Sequence, residues 1–392
     1  MAAIPPYPLY HQTYSLYRAS PLHHGDAPLL DGRALQTHAR RLTEQLKGDR
    51  VRGVHVDYAA ADDTARLGPL AACTWEAVGD EDAWIDGHGP AAPGGLDAAR
   101  ARGIHVRLEY EKHAYTALLL RDPGATGVTA APASFTALPL LLVKMPGPVR
   151  TVFLAYLRTA FDAHVAPLQL PSSFITASAD AYFGHLSART STQTMVDTVR
   201  QLHVQLAFAA PTTLLRHIDI TIAAPDVPGF VARGKALQGG AHRPFTAALS
   251  QYVQKHLALD VSHPGVRVSS IACSSFQLRS ERLKLAAPDP LADDSVSDEA
   301  GPSQDVSAAQ HAVAALYASL VRQAAGSGNF LPEESGRAAR EGTTSSTGSG
   351  RAGSKKRAIS NAAATDANRK KAKGKSKEGT APNANRESMA HI

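Results

Sequence analysis

In one stretch after another apolar residues recur at every second position, and that spacing restricts the chain to a sheet-based fold. Ile104, Val106, Leu108 and Tyr110 alternate with polar neighbours. An apolar run resumes from Tyr115 to Arg121 beyond Lys112 and His113, so the two stretches read as an antiparallel hairpin. Leu202, Val204, Leu206 and Phe208 share one parity, and Ile218, Ile220 and Ile222 share one across Pro211-Thr212-Thr213, which predicts a second antiparallel pair. Further strands are expected at Val54 to Tyr58, Cys73 to Val78 and Leu138 to Lys144. Two more, Val266 to Cys273 and Phe276 to Leu285, meet at a tight Ser274-Ser275 turn.

Helical spacing appears between these runs. Asp31 suits the N-cap of a helix through Leu35, Ala39, Leu42 and Leu46, with Gly48 as its stop. Val149, Val152, Phe153, Tyr156, Leu157, Ala160 and Phe161 follow the helical repeat after Pro148, and a further helix is expected over Ser172 to Leu186, ahead of the polar stretch Thr190 to Thr194. Pro244 suits the first turn of a helix to Leu257, with Ala248, Leu249, Tyr252, Val253 and His256 as its inner face. Gly87 to Gly95, with four glycines and two prolines, reads as a loop. The connections are short hairpins instead of long crossovers, so the expected class is α+β, with largely antiparallel curved sheets and packed helices. Its expected halves are residues 1–145 and 146–288, separate or merged into one continuous domain.

Composition changes at Pro288. Residues 289–305 form an acidic linker holding Asp289, Asp293, Asp294, Asp298 and Glu299. An isolated helix is expected over 306–325, with Ala309, Val313, Leu316 and Leu320 at coiled-coil-like spacing. It is either a docking helix or a satellite of its own domain. Residues 326–392 are poor in apolar side chains and are predicted to be a disordered basic tail. Residues 337–392 hold 13 Lys and Arg against 4 Asp and Glu, a net of +9, so the chain's +6 leaves −3 on the first 336 residues. The basic character of the chain therefore belongs to its tail. There Lys355, Lys356 and Arg357 stand eleven residues before Arg369, Lys370, Lys371 and Lys373, a spacing that suits a bipartite nuclear import signal. The same charges would also suit contact with nucleic-acid phosphates. Ser295, among acidic neighbours, is a candidate for phosphorylation or simply part of the linker.

Several chemistries find no support in the residues. The longest apolar stretch, Leu138 to Val143, is far below the ~20 residues that span a bilayer. Met1 to Tyr10 lacks the basic and apolar regions of a secretory signal. Cys73 and Cys273 lie in apolar runs and read as free thiols. His11 and His23-His24-Gly25-Asp26 lack the converging ligands that zinc needs and read as a polar turn. No Gly-x-Ser-x-Gly elbow occurs, and Glu109 and Glu111 fall on a solvent-facing strand surface. Gly348 to Lys355 resembles a phosphate-binding loop but carries Ser354 where the lysine should stand. The chain is expected to be no enzyme and to need no metal or cofactor.

Three stretches resemble the fungal branch of the centromere protein L (CENP-L) family, an inner-kinetochore subunit. The first is Tyr7 to Tyr10 with Tyr14 to Gly25, followed by Arg50 to Val54. The second is Gly103 to Lys112 continuing to Leu118 to Arg121. The third runs from Arg243-Pro244-Phe245 through His263-Pro264 and Ile271-Ala272-Cys273 to Glu281-Arg282-Leu283-Lys284-Leu285. The resemblance covers residues 7–285, leaving out the Gly/Pro loop and everything after Pro288. It implies a non-enzymatic scaffold in the nucleus that pairs with a CENP-N-like subunit, joins other inner-kinetochore proteins, and meets centromeric DNA or nucleosomes indirectly. Phe276, Leu278 and Leu283 on the last strand are the expected contacts of a partner strand, or else the packing of an internal one. Arg40, Arg41, Arg50 and Arg52 are the expected DNA-proximal group, or else a solvated helix face. The competing reading is a nuclear DNA-binding protein acting through its basic tail.

Overall fold

The protein is represented by a computed structural model, which describes residues 4–51, 68–88, 96, 100–122, 133–189, 192–208, 215–237, 242–287 and 308–326. The chain begins with β1 (Thr13–Ala19), β2 (Leu22–His23), α1 (Gly32–Val51), β3 (Leu70–Val78) and α2 (Glu81–His88). It continues through β4 (Gly103–Tyr110), β5 (Ala114–Leu120), β6 (Phe135–Thr136), β7 (Leu140–Lys144), α3 (Gly147–Phe161) and β8 (Val165–Pro167). Then follow α4 (Ser172–Arg189), α5 (Thr192–Val199), β9 (Gln201–Phe208), β10 (His217–Ala223), α6 (Asp226–Ala236) and α7 (Pro244–Leu257). Strands β11 (Val266–Ala272), β12 (Phe276–Arg279) and β13 (Arg282–Leu285) precede the last helix, α8 (Ala308–Ala325).

Eleven strands make one sheet in the order β10-β9-β11-β12-β13-β1-β7-β5-β4-β3, with β8 also paired to β1. Every named pairing in it is antiparallel. The fold is therefore α+β, as the alternating runs predict. One side of β1 pairs β7 over Ser15 to Arg18; the other pairs β13 over Thr13 to Ser15 and β8 over Tyr17 to Ala19. The boundary expected at residue 145 thus falls inside a single sheet.

Burial explains why the central strands read as continuous apolar runs. Leu118, Leu120, Leu140 and Leu142 join the core on one face, and Ala117, Leu119, Leu141 and Val143 the core on the other. The second core is closed by Leu35, Ala39 and Leu42 of α1 and by Val149, Phe153, Tyr156, Leu157 and Phe161 of α3. The first is closed by α4, α6, α7 and α8. Asp180 in α4 links two of these helices. Its Oδ1 accepts from the Phe245 and Thr246 amides at 2.7 and 3.2 Å, and its Oδ2 accepts from the Thr246 hydroxyl. A carboxylate from one helix thereby satisfies the orphan donors at the start of the next.

Several expectations need correction. The last helix is not isolated: Ala312, Val313, Leu316, Tyr317, Leu320, Val321 and Ala324 are buried in the first core, and the Tyr317 hydroxyl donates to the Arg121 carbonyl. The final strand is two, because the chain reverses at Ser280-Glu281; their carbonyls accept from Leu170 and Leu16 amides. Helix α1 runs past Gly48 to Val51, since an interior glycine costs only about 1 kcal/mol and does not by itself end a helix. Three short helices were not anticipated. The expected Gly/Pro loop begins within α2, which buries only Trp84; the expected polar stretch overlaps α5; and α6 contains Pro228, Gly229 and Gly234. Gly234 permits the close approach of α6 to α7, since a Cβ there would lie 1.7 Å from the Pro244 carbonyl oxygen. Tyr252 and His256 face outward, leaving Phe245, Ala248, Leu249 and Val253 as the buried side of α7. The strand expected at Val54 to Tyr58, the acidic linker and the tail lie outside the described residues.

Two stability outcomes follow. Leu320→Ala removes a fully buried side chain of α8 and should cost about 2 to 5 kcal/mol in denaturant unfolding; a surface helix would lose well under 1. Asp180→Ala should cost about 1 to 2 kcal/mol and Asp180→Asn less, because the amide keeps an acceptor for the α7 amides.

Candidate partner and nucleic-acid interface

Beyond β1 the two cores diverge. In β9, β11, β12 and β13 the side chains Leu202, Val204, Leu206, Val268, Ile271, Phe276, Leu278, Leu283 and Leu285 all enter the first core. The opposite face holds polar residues. Cross-strand pairs place Thr13 beside Lys284, Ser15 beside Arg282, Gln277 beside Lys284, and Asp219 beside Gln205. Arg267, Arg279, Arg282 and Lys284 are exposed on this face, with His203, His217, Thr221 and Asp219 toward its β10 end. With its amide oriented oxygen-first toward Arg279, Gln277 would accept from Nη2 at 2.9 Å and Nε at 3.1 Å. Thr13, Gln277, Arg279, Arg282 and Leu283 line a hollow of about 230 Å³. Among the described residues, none of these four cations forms an ion pair with a carboxylate within 4.0 Å. Four unpaired cations spread over neighbouring strands make a surface suited to a polyanion.

The same topology corrects the expected partner edge. Strand β12 is paired to β11 and β13, and β13 to β12 and β1, so neither offers free backbone groups. Phe276, Leu278 and Leu283 are core residues, buried to 2%, 0% and 1% exposure. The ends of the sheet are β10 and β3. Strand β3 is bulged between Leu70 and Ala72 and packs against α1. Strand β10 pairs β9 in unbroken register from His217 to Ala223, and Leu215 just before it is 48% exposed. A regular edge strand flanked by an exposed apolar side chain is well suited to receive another strand.

Arg40 lies 3.9 Å from Glu44, one turn along α1, with both side chains exposed. Arg41 is exposed beside it, Arg50 lies in the last turn of α1, and Arg52 is outside the described residues. The import-signal residues Lys355, Lys356, Arg357, Arg369, Lys370, Lys371 and Lys373 also lie outside them.

Polar groups buried elsewhere are used in packing. His105 Nδ1 is 2.7 Å from Glu76 Oε1 and its Nε2 is 2.8 Å from Thr116 Oγ1, which ties β3, β4 and β5 together. Burial alone would raise the Glu76 carboxyl, but the His105 hydrogen bond, with the charges of His105, His88 and Arg107, brings it below the usual range. His38 Nδ1 meets the Tyr156 hydroxyl at 2.8 Å among Trp75 and Phe161, and burial, aided by Arg41, lowers its pKa. Glu109 is ion-paired to Arg107 at 2.8 Å, while Glu111 is exposed. His24 Nε2 lies 2.9 Å from the Thr136 hydroxyl at the β2–β6 pair. Burial pushes the Cys73 and Cys273 thiols up to about 11, far from the reactive range. Among the described residues no cluster of three or more His, Cys, Asp or Glu could hold a metal, and no helix is long and apolar enough to cross a membrane.

The family model for centromere protein L matches residues 8–325, from just before β1 to the end of α8. The chain belongs to the CENP-L family. The match is to the family as a whole, and no curated protein matches the chain. It reaches beyond the stretches that carry the sequence resemblance and takes in α8, in keeping with that helix being part of the core. As a CENP-L family member the chain is a centromere and kinetochore protein of the nucleus, with partners in the inner kinetochore. Neither core nor ladder depends on the exposed cations, so the combined Arg279→Glu, Arg282→Glu and Lys284→Glu variant should keep the unfolding midpoint within a few degrees, read by circular dichroism.

Proposed function

We propose that this CENP-L family member is a non-enzymatic scaffold that pairs with a CENP-N-like subunit through the outer edge of β10. The observation that carries this reading is the edge of β10, in unbroken register with β9 and without a second partner strand among the described residues, on the sheet of a centromere protein. Strand addition there would satisfy main-chain groups already in line, while Leu215 and the half-buried Ile218 would supply apolar contacts. Arg267, Arg279, Arg282 and Lys284 would meet DNA phosphates, positioning the complex on centromeric chromatin without reading sequence. Arg40 and Arg41 on α1 are a secondary phosphate contact. Nuclear import is assigned to Lys355, Lys356 and Arg357 with Arg369, Lys370, Lys371 and Lys373.

Residues 1–326, which include α8, co-expressed with the CENP-N-like protein of the same organism, should elute as a one-to-one complex in size-exclusion chromatography with light scattering. Leu215→Asp with Ile218→Lys should abolish that complex and leave a folded protein. Two separate peaks from folded wild-type proteins would overturn the pairing. The complex bound to duplex DNA should lose at least roughly tenfold in affinity on Arg279→Glu with Arg282→Glu and Lys284→Glu, with a shallower salt slope. If deletion of residues 337–392 alone removes DNA binding and the partner as well, the protein acts through its tail instead.

A further inference from the structure

The open cationic face has a complementary segment in the same chain. Residues 288–307, outside the described residues, carry Asp289, Asp293, Asp294, Asp298, Glu299 and Asp305 and no Lys or Arg. Those six carboxylates turn a balance of +3 over the rest of the first 336 residues into −3. The segment starts where the sheet presents its cations. The chain leaves β13 at Leu285, next to Lys284 and three residues after Arg282, and resumes at Ala308 in α8. Arg279 lies one strand away; Arg267 lies two strands away and five residues along β11 from Ala272, which is level with Gln277 and Lys284, so it stands about 20 Å from Lys284 by the usual strand spacings. Each of the twenty residues of the segment can span ~3.3 Å, so its first half is long enough to reach across the cationic face.

We propose that residues 288–307 dock on this face, with their carboxylates against Arg267, Arg279, Arg282 and Lys284. Three features single out this occupant: opposite charge without a compensating cation, attachment at the edge of the face, and a tether that holds the local concentration in the millimolar range. Ion pairs made there are exposed and individually weak, so an external polyanion displaces the segment instead of being barred by it. Phosphate on Ser295 would add charge to the segment and strengthen the docking.

The test needs no DNA, so it can fail independently of the DNA contact. In the full-length Arg267→Lys variant, zero-length carbodiimide coupling at low ionic strength should join position 267 to a carboxylate of residues 289–305, and high salt should suppress the product, as read by mass spectrometry. A thermal-unfolding cycle is the second measurement. Neutralising the six acids to Asn or Gln should lower Tm by about 2 °C, and this shift should vanish when Arg279, Arg282 and Lys284 are already Gln. Coupling of the acidic segment only to tail lysines, or a Tm shift that is equal in both backgrounds, would overturn the proposal.

Discussion

The structure depends on β1 being hydrogen-bonded on both sides. The strand is drawn from the start of the chain, yet it receives β7 on one flank and both β13 and β8 on the other. Neither half of the sequence can complete its sheet without it. Leu16 shows the economy of the arrangement: its amide donates to Glu281, its carbonyl accepts from Leu168, and its side chain lies in the first core. Sheet contacts of such long sequence separation join the described strands of both halves in one sheet.

From this follows the asymmetry of the two faces. Near β5 and β7 both faces are covered by helices, so both parities are apolar. Along β13, β12, β11 and β9 the described helices stand on the first core's side, and the other face carries exposed polar and cationic side chains. An antiparallel sheet tolerates this one-sided covering, whereas a parallel sheet with crossover helices would have both faces buried. The free face follows from this placement, because the described helices that come after α3 pack on the first core.

On the proposed reading, the free face and the edge of β10 would give this centromere protein two separable modes of contact. Main-chain pairing at an edge is stiff and short-ranged, while cations on an open face act over about a Debye length and weaken with salt. A partner that extends the sheet beyond β10 would lengthen the open face as well, since the strand order continues in the same plane.

The sequence by itself determined the elements whose periodicity is strong: both hairpins, α1, α3, α4 and α7, the α+β class, the separation of the basic tail, and the family. It also exposed the absence of catalytic signatures in the residues themselves. Short helices such as α2 and α6 escaped it, because a single buried Trp84 or a Pro-Gly pair is no periodic signal. The site was less legible. Alternation shows that Phe276, Leu278 and Leu283 share an apolar parity, but an internal and an edge strand with one buried face read alike. Only tertiary pairing decided that β12 and β13 lie inside the sheet and β10 at its end, that α8 belongs to the core, and that Arg267, Arg279, Arg282 and Lys284 meet on one face. Strand order is set by contacts between residues hundreds of positions apart, which no local pattern encodes.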